Sequence, residues 1–445
     1  MNTQDYARWF RASTPYISAY RQQTFVVLLP GEALTHPNLV NVVHDLALLN
    51  VLGVRLVIVH GARPQITAAL SGSHSASRSA NHMETQDGVS RRVTDPDAMQ
   101  TIAGVCGQLR TELEALFSTG VPTSPLHNAE IQIVCGNFIN ARPIGVLDGV
   151  DYQLTGRPRR VQAGRLNAML DAGAIVLLSP IGYSPSGQPF NLAADELAGE
   201  VALALKARKL IAFDRQPYLA EADGQRLGNL SPASVSAALA SAPADEATGR
   251  CLAMLARAVA GGVASGQLVS YEDDGALLAE LFTAEGVGTQ ITEDDRRTVR
   301  RAEPRDVADI VEVIRPLEEA GMLVKRSRDR LEREVERFLV AEVDGFVVGC
   351  CALYPAGDSV ELACVAVHPA HRSAAGSGAG ARLLAAAEEA ARAQGFERMF
   401  ALTTQTRDWF VEQGFQDGSV EDLPAPKQTL YNHARGAKVL FKALT

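Results

Sequence analysis

The chain has 445 residues, 47% of them hydrophobic and 21% charged, with a formal net charge of -9. That length exceeds what one hydrophobic core usually organises, so at least two domains are expected. The acidic balance argues against nucleic acid as a partner and fits poorly with a membrane-surface role.

The first residues, MNTQDYARWFRASTPYISAY, mix charge with aromatics and lack the apolar core of a signal peptide. No apolar stretch approaches membrane-spanning length, so a cytoplasmic protein is expected, with residues 1–24 as an N-terminal helical segment. From residue 25 to 291, strand-like runs (FVVLLP at Phe25, VRLVIVH at Val54, AIVLLSP at Ala174, KLIAF at Lys209, QLVSY at Gln267) alternate with longer helical stretches. Strands spaced by ten or more residues of helical pattern imply a mainly parallel sheet covered on both faces, the first of two α/β domains. Between Ser71 and Ser90 almost no large apolar residue occurs, and a surface loop without chemistry is expected. The six cysteines, Cys106, Cys135, Cys251, Cys350, Cys351 and Cys364, form no CxxC pair, and the histidines do not cluster; the cysteines read as small buried hydrophobes and no metal site is expected.

The polar run TEDDRRT breaks the pattern, which places a linker at residues 292–298 and a second domain at 299–445. Helices are predicted over Asp306–Glu319, Asp329–Glu336, Ala379–Gln394 and Arg407–Glu412. Strands are predicted over Phe338–Val343, Phe346–Tyr354, Ser359–Val367, Arg398–Thr404 and Lys438–Lys442, with Asp344-Gly345 as a hairpin turn. After the strand ending in VELACVAVHP, the alternating Gly376, Gly378 and Gly380 precede a strongly helical run. Glycines here let successive amide N–H groups point outward at a helix start, a cradle suited to a pyrophosphate.

The order of strand, His-Pro exit, glycine turn, helix, strand FALTT and helix ending in EQGF resembles GCN5-related N-acetyltransferases over about 150 residues. The resemblance implies acetyl-CoA as co-substrate, with the glycine turn on its pyrophosphate. One departure is visible: Ala375 occupies the position that is basic or Gln in the family, and Arg372 lies three residues earlier, so the turn is longer. Transfer to an amine needs a base. Glu361, in an otherwise apolar strand where burial would raise a carboxylate, is the candidate, a solvent-facing carboxylate being the alternative. Backbone N–H groups around Cys364, Val365 and Val367 are placed to stabilise the oxyanion. Thr403 and Tyr431 are the hydroxyls considered for protonating the thiolate, and the basic segment VKRSRDRLE offers Arg326, with Arg435 further on, to grip acceptor carboxylates.

A closer match follows from IRPLEEAGMLVKRSRDRLE, ELACVAVHP, ALTTQTRDWFVEQGF and LYNHARGAKVL. Together with RVTD, GNFINARPIGVLDGVDYQLTG, SPIGYSPSGQPFNLAADELA and ELFTAEGVGTQI in the first domain, these resemble bacterial N-acetylglutamate synthases of the two-domain type. The resemblance implies an amino-acid-kinase-like α/β sandwich followed by the transferase domain, and transfer of acetyl to the α-amino group of L-glutamate as the first step of arginine biosynthesis. It puts a Ser or Thr acid at Thr403. In the kinase-like domain Leu28 stands at the lysine position, Pro30 replaces a glycine, and Ala62 and Arg63 occupy two further glycine positions, although Lys209 and Asp195 persist. Loss of phosphoryl transfer is inferred, since Pro30 has no N–H. The resemblance further implies feedback inhibition by L-arginine, for which Tyr16, Glu280, Gly286 and Gly288 are the candidate site, and a homo-oligomer, a hexamer. The alternatives are an acetyltransferase for another amine, a bifunctional synthase and kinase, and a non-catalytic arginine sensor.

Overall fold

The computed structural model describes residues 11, 13–72, 83–86, 89–120, 123–220, 226–242, 244–283, 286–293, 297–343, 346–368, 379–429, 431–432 and 436–444. The chain divides into two compact units, Met1–Glu293 and Asp294–Thr445.

In the first unit helix α1 (Thr14–Tyr20) leads into β1 (Thr24–Leu29), α2 (Leu39–Val51), β2 (Arg55–His60) and α3 (Arg63–Gly72). A short hairpin, β3 (Met83–Gln86) and β4 (Val89–Arg92), precedes the long α4 (Pro96–Phe117), so the stretch expected to be a loop is in part a paired ribbon. There follow β5 (Ile133–Val134), β6 (Ile139–Pro143), β7 (Gly156–Val161), α5 (Ala163–Asp171), β8 (Ile175–Leu178), β9 (Ile181–Tyr183), β10 (Pro189–Asn191) and α6 (Ala194–Leu205). The unit closes with β11 (Lys209–Asp214), β12 (Asn229–Leu230), α7 (Glu246–Ala260), β13 (Ser265–Ser270), α8 (Ala276–Phe282) and β14 (Thr289–Ile291).

The main sheet runs β12-β14-β13-β11-β1-β2-β8-β5, with all pairs parallel except β13 and β14. Every residue of β1, β11 and β13 is buried, which explains the apolar runs of β1 and β11: both faces are covered, so no alternation is needed. Val26, Leu28, Val57, Val59, Leu210 and Ala212 pack with α5, α6 and α7 in one core. A smaller sheet, β10-β9-β6-β7, was not foreseen; its strands are short and carry polar residues, as in INARP and GRPRRV, so they lack the apolar signal.

Within α2, burial, reinforced by neighbouring Asp274, pushes the Asp45 carboxyl up from 3.8 to about 7. Between those values the folded chain keeps a proton that the unfolded chain has released, so stability falls as pH rises through that window. Asp45→Asn is expected to remove this slope. Its advantage in melting temperature over the parent should grow up to about pH 7 and level off above, and equal slopes in a pH series of thermal melts would contradict the assignment.

The second unit is one sheet, β15-β16-β17-β18-β19-β21-β20, built from β15 (Arg297–Arg301), β16 (Phe338–Val343), β17 (Phe346–Ala356), β18 (Ser359–Val367), β19 (Arg398–Thr403), β20 (Gln416–Gly418) and β21 (Lys438–Ala443). Its helices are α9 (Val307–Glu319), α10 (Arg328–Glu334), α11 (Ala379–Ala393), α12 (Arg407–Glu412) and the short α13 (Ala425–Thr429). The first strand begins at Arg297, inside the stretch expected to be linker, because its polar residues pair with β16. Helix α9 buries Val307, Ile310, Val313 and Ile314 at helical spacing on one face of the sheet, and α11 buries Leu383, Leu384, Ala387 and Ala391 on the other. The expected Asp344-Gly345 turn lies outside the described residues. No helix among the described residues is long and apolar enough to cross a membrane.

Candidate active site

Strand β18 pairs in parallel with β19 only from Ser359↔Arg398 to Leu362↔Ala401, and beyond that point the ladder stops. The cause lies on the other edge of β18. Its antiparallel register with β17 runs Ala352↔Ala363 and then Cys350↔Ala366, so Cys364 and Val365 together oppose the single Cys351. This is a β-bulge, which leaves one residue unpaired and bends its strand. Cys364 sits at its centre with φ 53°, a left-handed conformation that costs a non-glycine residue about 1–2 kcal/mol. Val360 and Leu362 pack under α11, as do Val365 and Val367 past the bulge, while Cys364 and Ala366 turn toward α9.

The separation of β18 and β19 opens a cleft of about 360 Å³. Cys364, Val365 and Val367 line it from β18 and Thr403 and Thr406 from the end of β19 and the turn after it, with the neighbouring Gly380 and Trp409 also in its lining. An apolar slot between two splayed strands, with amides freed from ladder pairing, fits the extended thioester arm of acetyl-CoA and leaves N–H donors for a developing oxyanion.

Gly380, the last glycine of the expected cradle, lies in the first turn of α11, inside the helix predicted over Ala379–Gln394, and the N–H groups of that turn have no intrahelical partner. A Cβ there would meet Trp409 Cζ2 at 3.3 Å, so the glycine lets α11 approach the cleft's indole wall. Arg372, Gly376 and Gly378 lie outside the described residues, as does Arg435.

Thr403 ends β19 and is 9% exposed. Its Oγ1 accepts the Thr406 N–H at 3.0 Å and shares a hydrogen bond with Thr406 Oγ1 at 2.8 Å, an arrangement that holds the hydroxyl at the cleft wall. Tyr431 is placed differently. Its hydroxyl donates to the Ala437 carbonyl at 2.6 Å and its ring packs on the Phe400, Leu423 and Phe441 cluster, so it does not line the cleft.

Glu361, one residue before the cleft-lining part of β18, was expected in apolar surroundings. The structure gives it a cation: Lys427, on α13, ion-pairs with its Oε2, and the two side chains are only 26% and 13% exposed, lysine and glutamate respectively. On the neighbouring strand Tyr354 stands opposite Glu361 and donates to Glu334 Oε2 at 2.6 Å; Glu334 in turn pairs with Arg330 at 3.1 Å. Burial, then the bond to Glu334, pushes the Tyr354 phenol above its usual range. Arg326 joins this polar side. Its N–H donates to Glu318 at 2.9 Å, one terminal nitrogen reaches the Val324 carbonyl at 3.1 Å, and its buried Nε has no hydrogen-bond partner among the described residues. Burial pushes the Cys364 thiol up to about 11, against the pull of the nearby Arg326 guanidinium. Lys427 had no sequence signal, since α13 is five residues in a proline-rich stretch.

The remaining candidates lie in the first unit. Glu280, on α8, is 8% exposed, and its Oε2 accepts the N–H groups of Val287 at 2.8 Å and Gly288 at 2.9 Å, so it holds the turn between α8 and β14. Burial pushes its carboxyl above the usual range, opposed by those two N–H groups and by Lys209 and Arg226. Lys209, counted as a survivor of a kinase site, begins β11 beneath the Tyr20 ring at 5.3 Å, and its Nζ donates to Ser265 at 3.3 Å. It therefore stands at the opposite end of its strand from Pro30, Ala62 and Arg63. Tyr16 lies one helical turn before Tyr20, with ring centroids 6.3 Å apart, and Tyr20 packs on Phe282 of α8.

A splayed, bulged strand pair beside a helix start defines the second unit as an acetyl-CoA-dependent acetyltransferase, and residues 307–415 match the acetyltransferase (GNAT) family; residues 23–260 match the amino acid kinase family. The chain is 47% identical to the amino-acid acetyltransferase of Ectopseudomonas mendocina (strain ymp) and 46% identical to that of Azotobacter vinelandii, in both cases over 99% of this chain and 100% of the relative. It belongs to the family of bacterial amino-acid acetyltransferases, with acetyl-CoA as co-substrate. Among solved structures it is similar to N-acetylglutamate synthase from Neisseria gonorrhoeae complexed with coenzyme A and L-arginine (34% identity, TM-score 0.79, 98% of this chain and 99% of that one). The complex of the gonococcal synthase with coenzyme A and N-acetyl-glutamate matches at 35% identity and TM-score 0.61, over 99% of each chain.

Proposed function

We propose that the enzyme acetylates the α-amino group of L-glutamate, as the first step of arginine biosynthesis in the cytoplasm. The carrying observation is the polar wall beside the bulge: a paired carboxylate, Glu361, and a guanidinium, Arg326, with an unused buried N–H, next to an apolar thioester cleft. Arg326, and Arg435 from the segment beyond the described residues, grip the acceptor's two carboxylates. Glu361 receives the ammonium proton, directly or through water, and the amine attacks the thioester carbonyl. Backbone N–H groups of Cys364 to Val367 stabilise the oxyanion, and Thr403 supplies a hydrogen bond or proton to the departing sulfur. Tyr431, its hydroxyl committed to a carbonyl, is the weaker candidate for that last role. Support for the acceptor comes from the gonococcal synthase solved with coenzyme A and N-acetyl-glutamate.

The first unit acts as the sensor of the end product. L-Arginine presents a guanidinium, which Glu280 complements, and a carboxylate, for which Lys209 is the nearby cation, with Tyr16 and the Gly286–Gly288 turn as walls. The gonococcal complex with L-arginine supports this ligand. Inhibition requires that arginine bind two states of the assembly with different affinity, which is why a homo-oligomer, a hexamer, is part of the reading.

The test is release of free thiol from acetyl-CoA by the purified enzyme with L-glutamate, with and without L-arginine. Release with another amino acid and none with glutamate would overturn the acceptor assignment and leave the family intact. In the same assay Lys427→Met is expected to lower kcat/KM roughly tenfold, because Glu361 loses the cation that orients it, and Lys427→Arg should recover most of the loss. An unchanged rate in Lys427→Met would show that the pair is incidental.

A further inference from the structure

When acetyl passes from a thioester to an ammonium group, the nitrogen gives away two protons and the departing sulfur gains one. A hydroxyl that protonates the sulfur holds a single proton, and the alkoxide it would leave is far more basic than a thiolate. Such an acid therefore works only if its own proton is replaced as it leaves.

The end of β19 is built for that replacement. The backbone of Thr403 pairs with Lys438 of β21 on one side, while the ladder to β18 has already stopped at Leu362↔Ala401. Thr403 Oγ1 accepts the Thr406 N–H at 3.0 Å, with the Gln405 N–H more distant at 3.4 Å. These N–H groups favour negative charge on the oxygen and so make its proton easier to give. One lone pair and one hydrogen remain, and Thr406 Oγ1 lies 2.8 Å away, so the bond between the two hydroxyls can run in either direction.

Thr406 is the N-cap of α12, where a threonine ordinarily turns its oxygen onto the free N–H groups of the helix. Its side chain makes no such bond and is given to Thr403 instead. The two hydroxyls also differ in access to water. Thr403 is 9% exposed, Thr406 is exposed to solvent, and both line the cleft.

We propose that Thr406 is a positioning residue that holds the Thr403 hydroxyl for the departing sulfur and restores its proton from solvent. The inference rests on the assignment of Thr403 under the proposed function. As the C–S bond breaks, its electron pair goes to sulfur, which takes the Thr403 proton; Thr403 Oγ1 takes that of Thr406, and a solvent water reprotonates Thr406. The hydroxide so formed takes up one of the two protons given away by nitrogen and the other leaves to solvent, so protons and charge balance.

The test is the single-turnover rate of thiol release, with the full-length enzyme in excess over acetyl-CoA and saturating L-glutamate, which separates chemistry from product release. Thr406→Val, Thr406→Ser and Thr403→Val are compared with the parent, each checked for an unchanged melting profile and acetyl-CoA affinity. Valine keeps the shape and the backbone N–H but removes the hydroxyl, and the exposed position should tolerate it. The rate in Thr406→Val is expected to fall about tenfold, the worth of one hydrogen bond in the transition state, and Thr406→Ser should recover most of that loss. In mixtures of light and heavy water, the rate of the parent and of Thr406→Ser should bow with deuterium fraction, because two protons are in flight, and that of Thr406→Val should be linear. Loss of packing or of a helix cap would not change that curvature. A linear dependence in the parent, no recovery in Thr406→Ser, or a parental rate in Thr406→Val beside a slow Thr403→Val would overturn the relay and leave Thr403 as the acid. A parental rate in Thr403→Val would overturn both.

Discussion

Replacing Glu361 by glutamine is expected to lower glutamate-dependent thiol release by about 10²–10⁴-fold, the range over which a positioned general base contributes. The substitution keeps shape and hydrogen-bonding reach but removes the only proton acceptor of the Glu361–Lys427 pair. Because the side chain is partly exposed at a strand position already bordered by polar groups, the fold should persist, and a melting temperature near the parent's is the control. The loss should fall on kcat, since Arg326 rather than Glu361 is assigned to hold the acceptor. A variant retaining more than about a tenth of the parent rate would remove Glu361 from the role of base.

The second large effect is structural. A Cβ on Gly288 would lie 1.9 Å from the Leu268 carbonyl oxygen and 3.4 Å from that of Pro217. Both are backbone atoms and cannot swing aside; Leu268 is fully buried in β13 and pairs with Thr289 next to the glycine. Gly288→Ala must therefore displace the turn, which also breaks the bond from the Gly288 N–H to Glu280 at 2.9 Å. Overpacking against backbone of this kind costs about 2–4 kcal/mol. For a unit of this size that corresponds to roughly 4–16 °C in the melting temperature of the first unit. Where the protein still folds, thiol release should continue while inhibition by arginine is lost. Retained inhibition at parental arginine concentrations would move the arginine site away from this turn.

The elements of the second unit were legible because each carries its own periodic signal. Helix α9 places Val307, Ile310, Val313 and Ile314 on one stripe, and β18 alternates through Val360, Leu362 and Ala366, so their bounds follow from local pattern. The fully buried strands of the first unit were equally visible as unbroken apolar runs. The hairpin β3–β4 and the small sheet β10-β9-β6-β7 were not, because short polar strands carry no apolar alternation and owe their state to pairing with a partner strand.

By itself, then, the sequence determined the α/β class of both units, the strand that leads to the cleft, and the residue types, Glu361, Thr403 and Arg326, that acetyl transfer to an amine requires. Tertiary structure alone decided the rest. The bulge at Cys364 depends on a register mismatch between two strands, and the pairing of Glu361 with Lys427 joins residues 66 apart. The same applies to Glu280, whose Oε2 also holds its turn through the N–H groups of Val287 and Gly288. Each of these is a contact between segments that carry no local trace of one another, so its energy enters only when the chain has closed.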